Sequence, residues 1–352
     1  MRTLFLVLCM AGAGVMGAAC AAERPVTGAP VPGYEALDTA AQSFMDLVGC
    51  KAGTVAVSRD GVLLYSRGFG WRDRRGAEPA APDALMRIAS VSKPITAAAF
   101  CRLFKAGEMN PEAPVFPLQD IAPPAWAKPD PRLEQITVAH LLEHKGGWDR
   151  GKSFDPMFMT GRVEKSLRLE RSARPEDVVR FMLGQPLQFD PGAESVYSNF
   201  GFCVLGRVLE KKLGMPYMEC IRTLVLDPAS ITDIELGRDS ALKRGKREVE
   251  YPVRDGLFSI EVMDAHGGLI ASAPALCRFM DVYWISGFLR KPEESQDWTF
   301  FGSLPGTLSM ARQRKDGLNV AALFNSRRGG GNEDLDLLKQ TVDAALDGLG
   351  SE

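Results

Sequence analysis

Apolar residues fall on a helical stripe at Leu37, Ala41, Phe44 and Val48, and Gly49 closes it. The pattern then switches to strand-like runs. Thr54-Val55-Ala56-Val57 and Val62-Leu63-Leu64-Tyr65 flank Arg59-Asp60-Gly61, which reads as a β-hairpin. Residues 110–131 carry seven prolines and predict irregular backbone. Residues 136–240 read as mainly helical, with 176–183 and 202–213 as two of the segments. Leu308 to Arg312, a Lys315-Asp316-Gly317 turn and Val320 to Phe324 predict a second hairpin. Leu335, Leu338, Val342, Ala345, Leu346 and Leu349 return to helical spacing. Helix and hairpin open the chain, and hairpin and helix close it. The economical architecture is a mixed α/β (α+β) fold. One antiparallel sheet is built from both chain ends and flanked by the terminal helices, with a helical lobe inserted. Residues 34–105 and 245–350 make the sheet lobe, and 106–244 the helical lobe. Residues 23–33, with Pro25, Gly28, Pro30, Pro32 and Gly33, read as a linker.

The chain has 352 residues, 45% hydrophobic, with a formal net charge of −2. That is enough to bury a large core, and it leaves no electrostatic footprint for nucleic acid. Arg2 precedes a short apolar stretch from Leu4 to Met16 and the small residues Gly17-Ala18-Ala19-Cys20-Ala21-Ala22. Residues 1–22 therefore read as a secretory signal peptide, too short to span a bilayer comfortably. The expected location is periplasmic or secreted. Cys20 invites a lipid-anchor reading, against which Gly17 stands where a larger aliphatic residue is usual. The remaining cysteines, Cys50, Cys101, Cys203, Cys220 and Cys277, are scattered and odd in number, without a C-x-x-C pair. They read as small buried hydrophobes, with one disulfide left open.

The chemistry begins at Ser90-Val91-Ser92-Lys93, followed by the apolar run Pro94-Ile95-Thr96-Ala97-Ala98-Ala99-Phe100. A serine and a lysine three apart share one helical face. A buried lysine amine loses basicity and can take the serine proton. The expected placement is Ser90 at a helix start, beside free N–H groups and the positive end of the dipole. The spacing alone is weak: Ser240-Ala241-Leu242-Lys243 repeats it, but runs into a charged, glycine-containing stretch that reads as a solvated turn. A second motif, Tyr197-Ser198-Asn199, follows the Pro191-Gly192 turn. Residues two apart in an extended loop point to one side, so a phenol with a lowered pKa and an amide would face one site. Taken alone, the motif reads first as a core aromatic at Tyr197 and a helix cap at Asn199.

Together, Ser90 to Lys93, Ile136 to Leu142, and Tyr197 to Asn199 followed by Leu205-Gly206 resemble the serine β-lactamase/penicillin-binding-protein superfamily. The branch most alike holds class C β-lactamases, related esterases and D-alanyl-D-alanine carboxypeptidases. The resemblance covers residues 34–348 and implies a β-lactamase/transpeptidase-like fold. It implies Ser90 as the acylated nucleophile, Lys93 as its base, Tyr197 as a partner in proton transfer and Asn199 as a substrate holder. The family's third motif, Lys-Thr-Gly or His-x-Gly on a sheet strand, is best matched by Phe300 to Thr307, where Gly302 is retained for close backbone approach. The resemblance further implies that the Ser303 N–H joins that of Ser90 in an oxyanion hole. Phe300 stands where that motif has a basic residue. An ester or amide, uncharged, is therefore expected as substrate in preference to efficient β-lactam turnover. Arg312 or Arg314 on the next strand is the alternative source of the charge. A small-molecule or peptidoglycan-related acyl compound is the expected partner, and no cofactor or metal is implied.

Two rivals remain. His140-Leu141-Leu142-Glu143-His144 matches the H-x-x-E-H zinc pattern, although Lys145-Gly146-Gly147 breaks the helix at once. The third histidine, His266, reads as a loop residue near the cleft. A cell-wall sensor that is acylated without turnover, or a degenerate scaffold, is the non-enzyme alternative.

Overall fold

The computed structural model describes residues 24–291 and 294–348. The leader, Cys20 and Leu349 lie outside them. A six-stranded antiparallel sheet has the order β1-β3-β2-β9-β8-β7. Its strands are β1 (Val26–Thr27), β2 (Ala52–Arg59), β3 (Val62–Gly70), β7 (Trp298–Leu304), β8 (Thr307–Gln313) and β9 (Asn319–Phe324). A small three-stranded sheet pairs β4 (Met86–Arg87), β6 (Leu269–Ala271) and β5 (Ile234–Leu236), with β6 in the middle. The helices in chain order are α1 (Glu35–Val48), α2 (Ser92–Lys105), α3 (Val138–Leu142), α4 (Thr160–Leu167) and α5 (Pro175–Met182). They continue with α6 (Asn199–Leu213), α7 (Tyr217–Ile221), α8 (Ala273–Val282) and α9 (Glu333–Asp347).

Both chain ends build the large sheet, because β2 pairs with β9 in the middle of it. The Asp60-Gly61 turn has φ of 51° and 80°, the left-handed pair that a tight hairpin requires. Side chains alternate across β2 and β9. Val55, Val57, Val320 and Phe324 face α1 and α9, where Leu37, Phe44, Met45, Leu338 and Val342 cover them. Ala52, Ala56 and Ala321 face the other way, into the core shared with α2 and the inserted helices. Small residues on this face let α8 pack close to β2 and β9. This third layer is not apparent in the sequence pattern. Val26–Thr27, within the segment read as a linker, pairs with β3 at the sheet edge. The Thr27 hydroxyl also donates to the Ala80 carbonyl oxygen at 2.5 Å. Residues 111–130 contain no helix or strand, as their prolines predict. The five body cysteines are all free thiols. Among the described residues no helix is long and apolar enough to cross a membrane.

Candidate active site

Strand β4 leads through Ile88 into a tight turn, Ala89–Val91, and α2 begins at Ser92. Ser90 thus sits in the turn just before the helix. Ala89 is held at φ 46°, a left-handed conformation that costs a non-glycine residue energy and persists only where surroundings enforce it. Three contacts do so. The Ile88 N–H donates to the Leu269 carbonyl at 3.0 Å. The Ile88 carbonyl accepts from the Ser309 hydroxyl at 2.7 Å, and the Ser92 hydroxyl accepts from the Leu269 N–H at 3.2 Å. The turn is tied to both sheets.

Two of the polar groups expected from sequence, Lys93 and Tyr197, converge on Ser90, and Asn199 contacts Lys93. Lys93 Nζ lies 3.1 Å from Ser90 Oγ, and the Tyr197 hydroxyl donates to the same oxygen at 2.6 Å. Lys93 is 2% exposed. Burial drives its pKa well below the ordinary lysine value; Asp155 opposes that shift and Arg150 assists it. A neutral amine has two N–H donors and one lone pair. Two acceptors are in place, Asn199 Oδ1 at 2.8 Å and the His266 carbonyl at 2.9 Å. Ser90 Oγ, at 3.1 Å, is the third polar neighbour of Nζ.

Tyr197 differs from expectation. Burial raises its pKa, and the Ser90 contact and Arg150 offset this only in part. The phenol is therefore neutral and acts as a donor to Ser90 Oγ. Asn199 also differs. Its Oδ1 accepts from Lys93 and its Nδ2 donates to Asp155 Oδ2 at 2.7 Å, so both ends of the amide are engaged. It orients the lysine rather than being free for substrate. Ser198, extended at φ −129°, caps α6 through the Gly201 N–H and lets Tyr197 and Asn199 point to one side. Asp155, Arg150 and the His266 carbonyl are the parts sequence reasoning missed. They come from distant loops without a local motif.

Gly302 lies on edge strand β7 against the Ser90 turn. A Cβ there would overlap the Ile88 carbonyl oxygen and the Ser309 hydroxyl. Gly302→Ala is expected to cost about 1–3 kcal/mol, as overpacking does, and to displace the turn. Denaturant unfolding beside an activity assay checks both. The two-residue turn Pro305-Gly306 makes Leu304 and Thr307 the hydrogen-bonded pair flanking it. Alternation then turns the Ser303 N–H away from β8, toward the open edge of the sheet where Ser90 packs. Ser90, Tyr197, His266, Phe300 and Ser303 line one cleft of about 630 Å³. Arg312 and Arg314 do not reach it. Arg312 binds Asp297 and Asp343, and Arg314 binds Asp316, Asp343 and Asp347. Both are held by carboxylates, mainly of the β8–β9 turn and α9, so neither replaces the missing cation at Phe300.

The zinc pattern dissolves in the fold. Helix α3 ends at Leu142 and His144 sits at φ 59°, so the two histidines leave the shared face. His140 closes a capping box with Thr137, and Glu143 pairs with Lys145. His144 packs on Tyr197 with ring centroids 4.7 Å apart, and its Nδ1 accepts from the Ser198 N–H. Burial is the largest cause that lowers its pKa, to about 4. The decoy at Ser240 is a surface turn with Leu242 97% exposed.

Residues 37–330 match the family model described as Beta-lactamase. The chain belongs to the beta-lactamase family. Esterase EstB from Burkholderia gladioli is 31% identical over 63% of this chain and 58% of its own length. Penicillin-binding protein 4* from Bacillus subtilis is 28% identical over 51% of this chain and 37% of its own. The chain thus matches about three-fifths or less of these curated relatives. Among solved structures, D-amino acid amidase from Ochrobactrum anthropi SV3 superposes with a TM-score of 0.68 at 18% identity. The superposition covers 91% of this chain and 99% of that one. A penicillin-binding protein homologue from Pyrococcus abyssi gives 0.68 at 19% identity, over 88% and 77% of the two chains. These likenesses carry the mixed α/β fold predicted from the sequence.

Proposed function

We propose that this beta-lactamase family member is an exported serine hydrolase that cleaves an ester or amide through an acyl-enzyme on Ser90. The observation that carries the reading is the set of contacts around Lys93: a buried lysine nitrogen within hydrogen-bond reach of Ser90 Oγ, Asn199 Oδ1 and the His266 carbonyl. Ser90 attacks the carbonyl carbon and its proton passes to Lys93 Nζ. The N–H groups of Ser90 and Ser303 receive the developing oxyanion. Collapse of the tetrahedral intermediate breaks the bond to the leaving group, which takes the proton from Lys93 by way of the Tyr197 hydroxyl. Water then hydrolyses the acyl-enzyme by the reverse route. Asn199, held by Asp155, keeps the lysine aimed. The esterase and amidase among the similar proteins favour this substrate class over efficient β-lactam turnover, as does Phe300. Export rests on the pattern of residues 1–22.

A fluorophosphonate or penicillin probe, followed by mass mapping, is expected to modify the peptide containing Ser90. Release of a penicilloyl or simple acyl label over time supports turnover, and a label that stays indicates an acylated sensor. No labelling, or labelling at another serine, refutes the assignment.

A further inference from the structure

A second cavity, of about 890 Å³, lies at the far end of α2 from Ser90 and shares no lining residue with the catalytic cleft. Sites for small molecules span roughly 300–1,000 Å³. One wall is the C-terminal end of α2, with Cys101, Arg102, Phe104 and Lys105. The other is the segment after α8, which folds back on itself. The Trp284 N–H donates to the Phe288 carbonyl at 2.7 Å, and the Arg290 N–H to the Val282 carbonyl at 2.9 Å. Gly287, at φ 93°, seats this turn on α2, since a Cβ there would overlap the backbone of Ala97 and Ala98. Phe104, Val282, Trp284, Phe288 and Leu289 give the cavity apolar walls, and Phe288 is 60% exposed. The carboxylates in the walls are engaged. Asp281 accepts from the Ser58 hydroxyl and the Asn319 amide. Glu294 accepts from the Trp284 indole at 2.8 Å and pairs with Lys291. Arg290 lies over the Trp284 ring and donates to the Met280 carbonyl and Asn319. Arg102, half-buried, and Lys105 differ: neither side chain has a partner among the described residues. Two unpaired cations beside apolar walls complement an anion with an apolar tail.

We propose that this cavity is a binding site for a free medium-chain alkyl carboxylate, its head on Arg102 and Lys105 and its chain along Phe104, Trp284 and Phe288. The site is separate from the chemistry at Ser90 and stands whether or not that reading holds. The test titrates the whole protein with decanoate, below its micelle concentration, in a calorimeter. One saturable site per chain is expected. Cys101 locates it. The other free thiols among the described residues are buried, so maleimide labelling of the native protein, mapped by mass, reads Cys101. At about ten times Kd its labelling rate is expected to fall by about tenfold, in step with the fraction of empty sites. Octanoate binds more weakly than decanoate by about fourfold per methylene removed. Decanol binds at least about tenfold more weakly, the range of one charge-assisted contact. Arg102→Gln combined with Lys105→Gln abolishes the preference for decanoate over decanol, with the unfolding midpoint showing that the variant is folded. Absence of saturable binding, equal affinity for decanoate and decanol in the wild type, or a preference unchanged in the double variant overturns the proposal. Saturation without protection of Cys101 places the ligand elsewhere and overturns it too. Binding to phosphatidylglycerol vesicles without binding of free decanoate would make this face a membrane contact, and equally overturns it.

Discussion

Ser90→Ala is expected to lower kcat by roughly 10⁴-fold or more, and Lys93→Ala to do nearly the same. The reason is structural. Ser90 Oγ receives the Tyr197 hydroxyl and lies against the Lys93 amine, so the three groups act as one unit. In the proposed mechanism, removing either the oxygen or the base stops the same step, and the losses will not add in the double variant. The fold should survive Ser90→Ala, because the turn is held by Ile88, Ser92 and Ser309 rather than by the Ser90 side chain. A near-wild-type unfolding midpoint with absent turnover is the result to look for. Turnover within about tenfold of wild type in either single variant would remove Ser90 from the mechanism.

The sheet was readable because its two hairpins sit at opposite chain ends with clear period-2 runs and tight turns. Asp60-Gly61 is a local signal, and the structure uses it as read. Strand β1 was not readable: Val26–Thr27 is two residues long and lies among prolines, and only its pairing with Phe69 and Gly68 makes it a strand. Helix α8 was missed as a sheet-covering layer because its place depends on the alanines of β2 and β9, which signal nothing until the strands are adjacent. In the site, Ser90, Lys93 and Tyr197 were legible through short-range spacing. Their electrostatics were not. The Tyr197 pKa rises because burial outweighs the neighbouring cation, and burial is a property of the assembled fold. Asn199 was given to the substrate because nothing near it in sequence announces Asp155, forty-four positions away.

The same burial makes Lys93 a liability to stability, and this gives a pH-dependent signature independent of substrate. In the unfolded chain Lys93 titrates near the ordinary lysine value of 10.5; in the fold its pKa lies well below that. Between the two values the unfolded state binds one more proton than the native state at this position. Unfolding free energy therefore rises with pH across that window, with a limiting slope of about 1.4 kcal/mol per pH unit for a single proton. Lys93→Met keeps the length and apolar stem but removes the titration. It also leaves Asn199 Oδ1 and the His266 carbonyl without their donor, a cost that does not depend on the lysine proton. The wild type should thus gain on Lys93→Met as pH is raised from the depressed lysine pKa toward the ordinary value of 10.5, and the gain should flatten above it. Activity should follow the native-state value: it falls as pH drops through the depressed lysine pKa, because protonation fills the lone pair that Ser90 needs. Denaturant unfolding of both proteins at several pH values measures the first effect, and the acid limb of kcat/KM the second. A stability difference that stays constant from pH 7 to 10 would mean that Lys93 remains an ammonium in the fold, and such an ammonium could not serve as the base for Ser90.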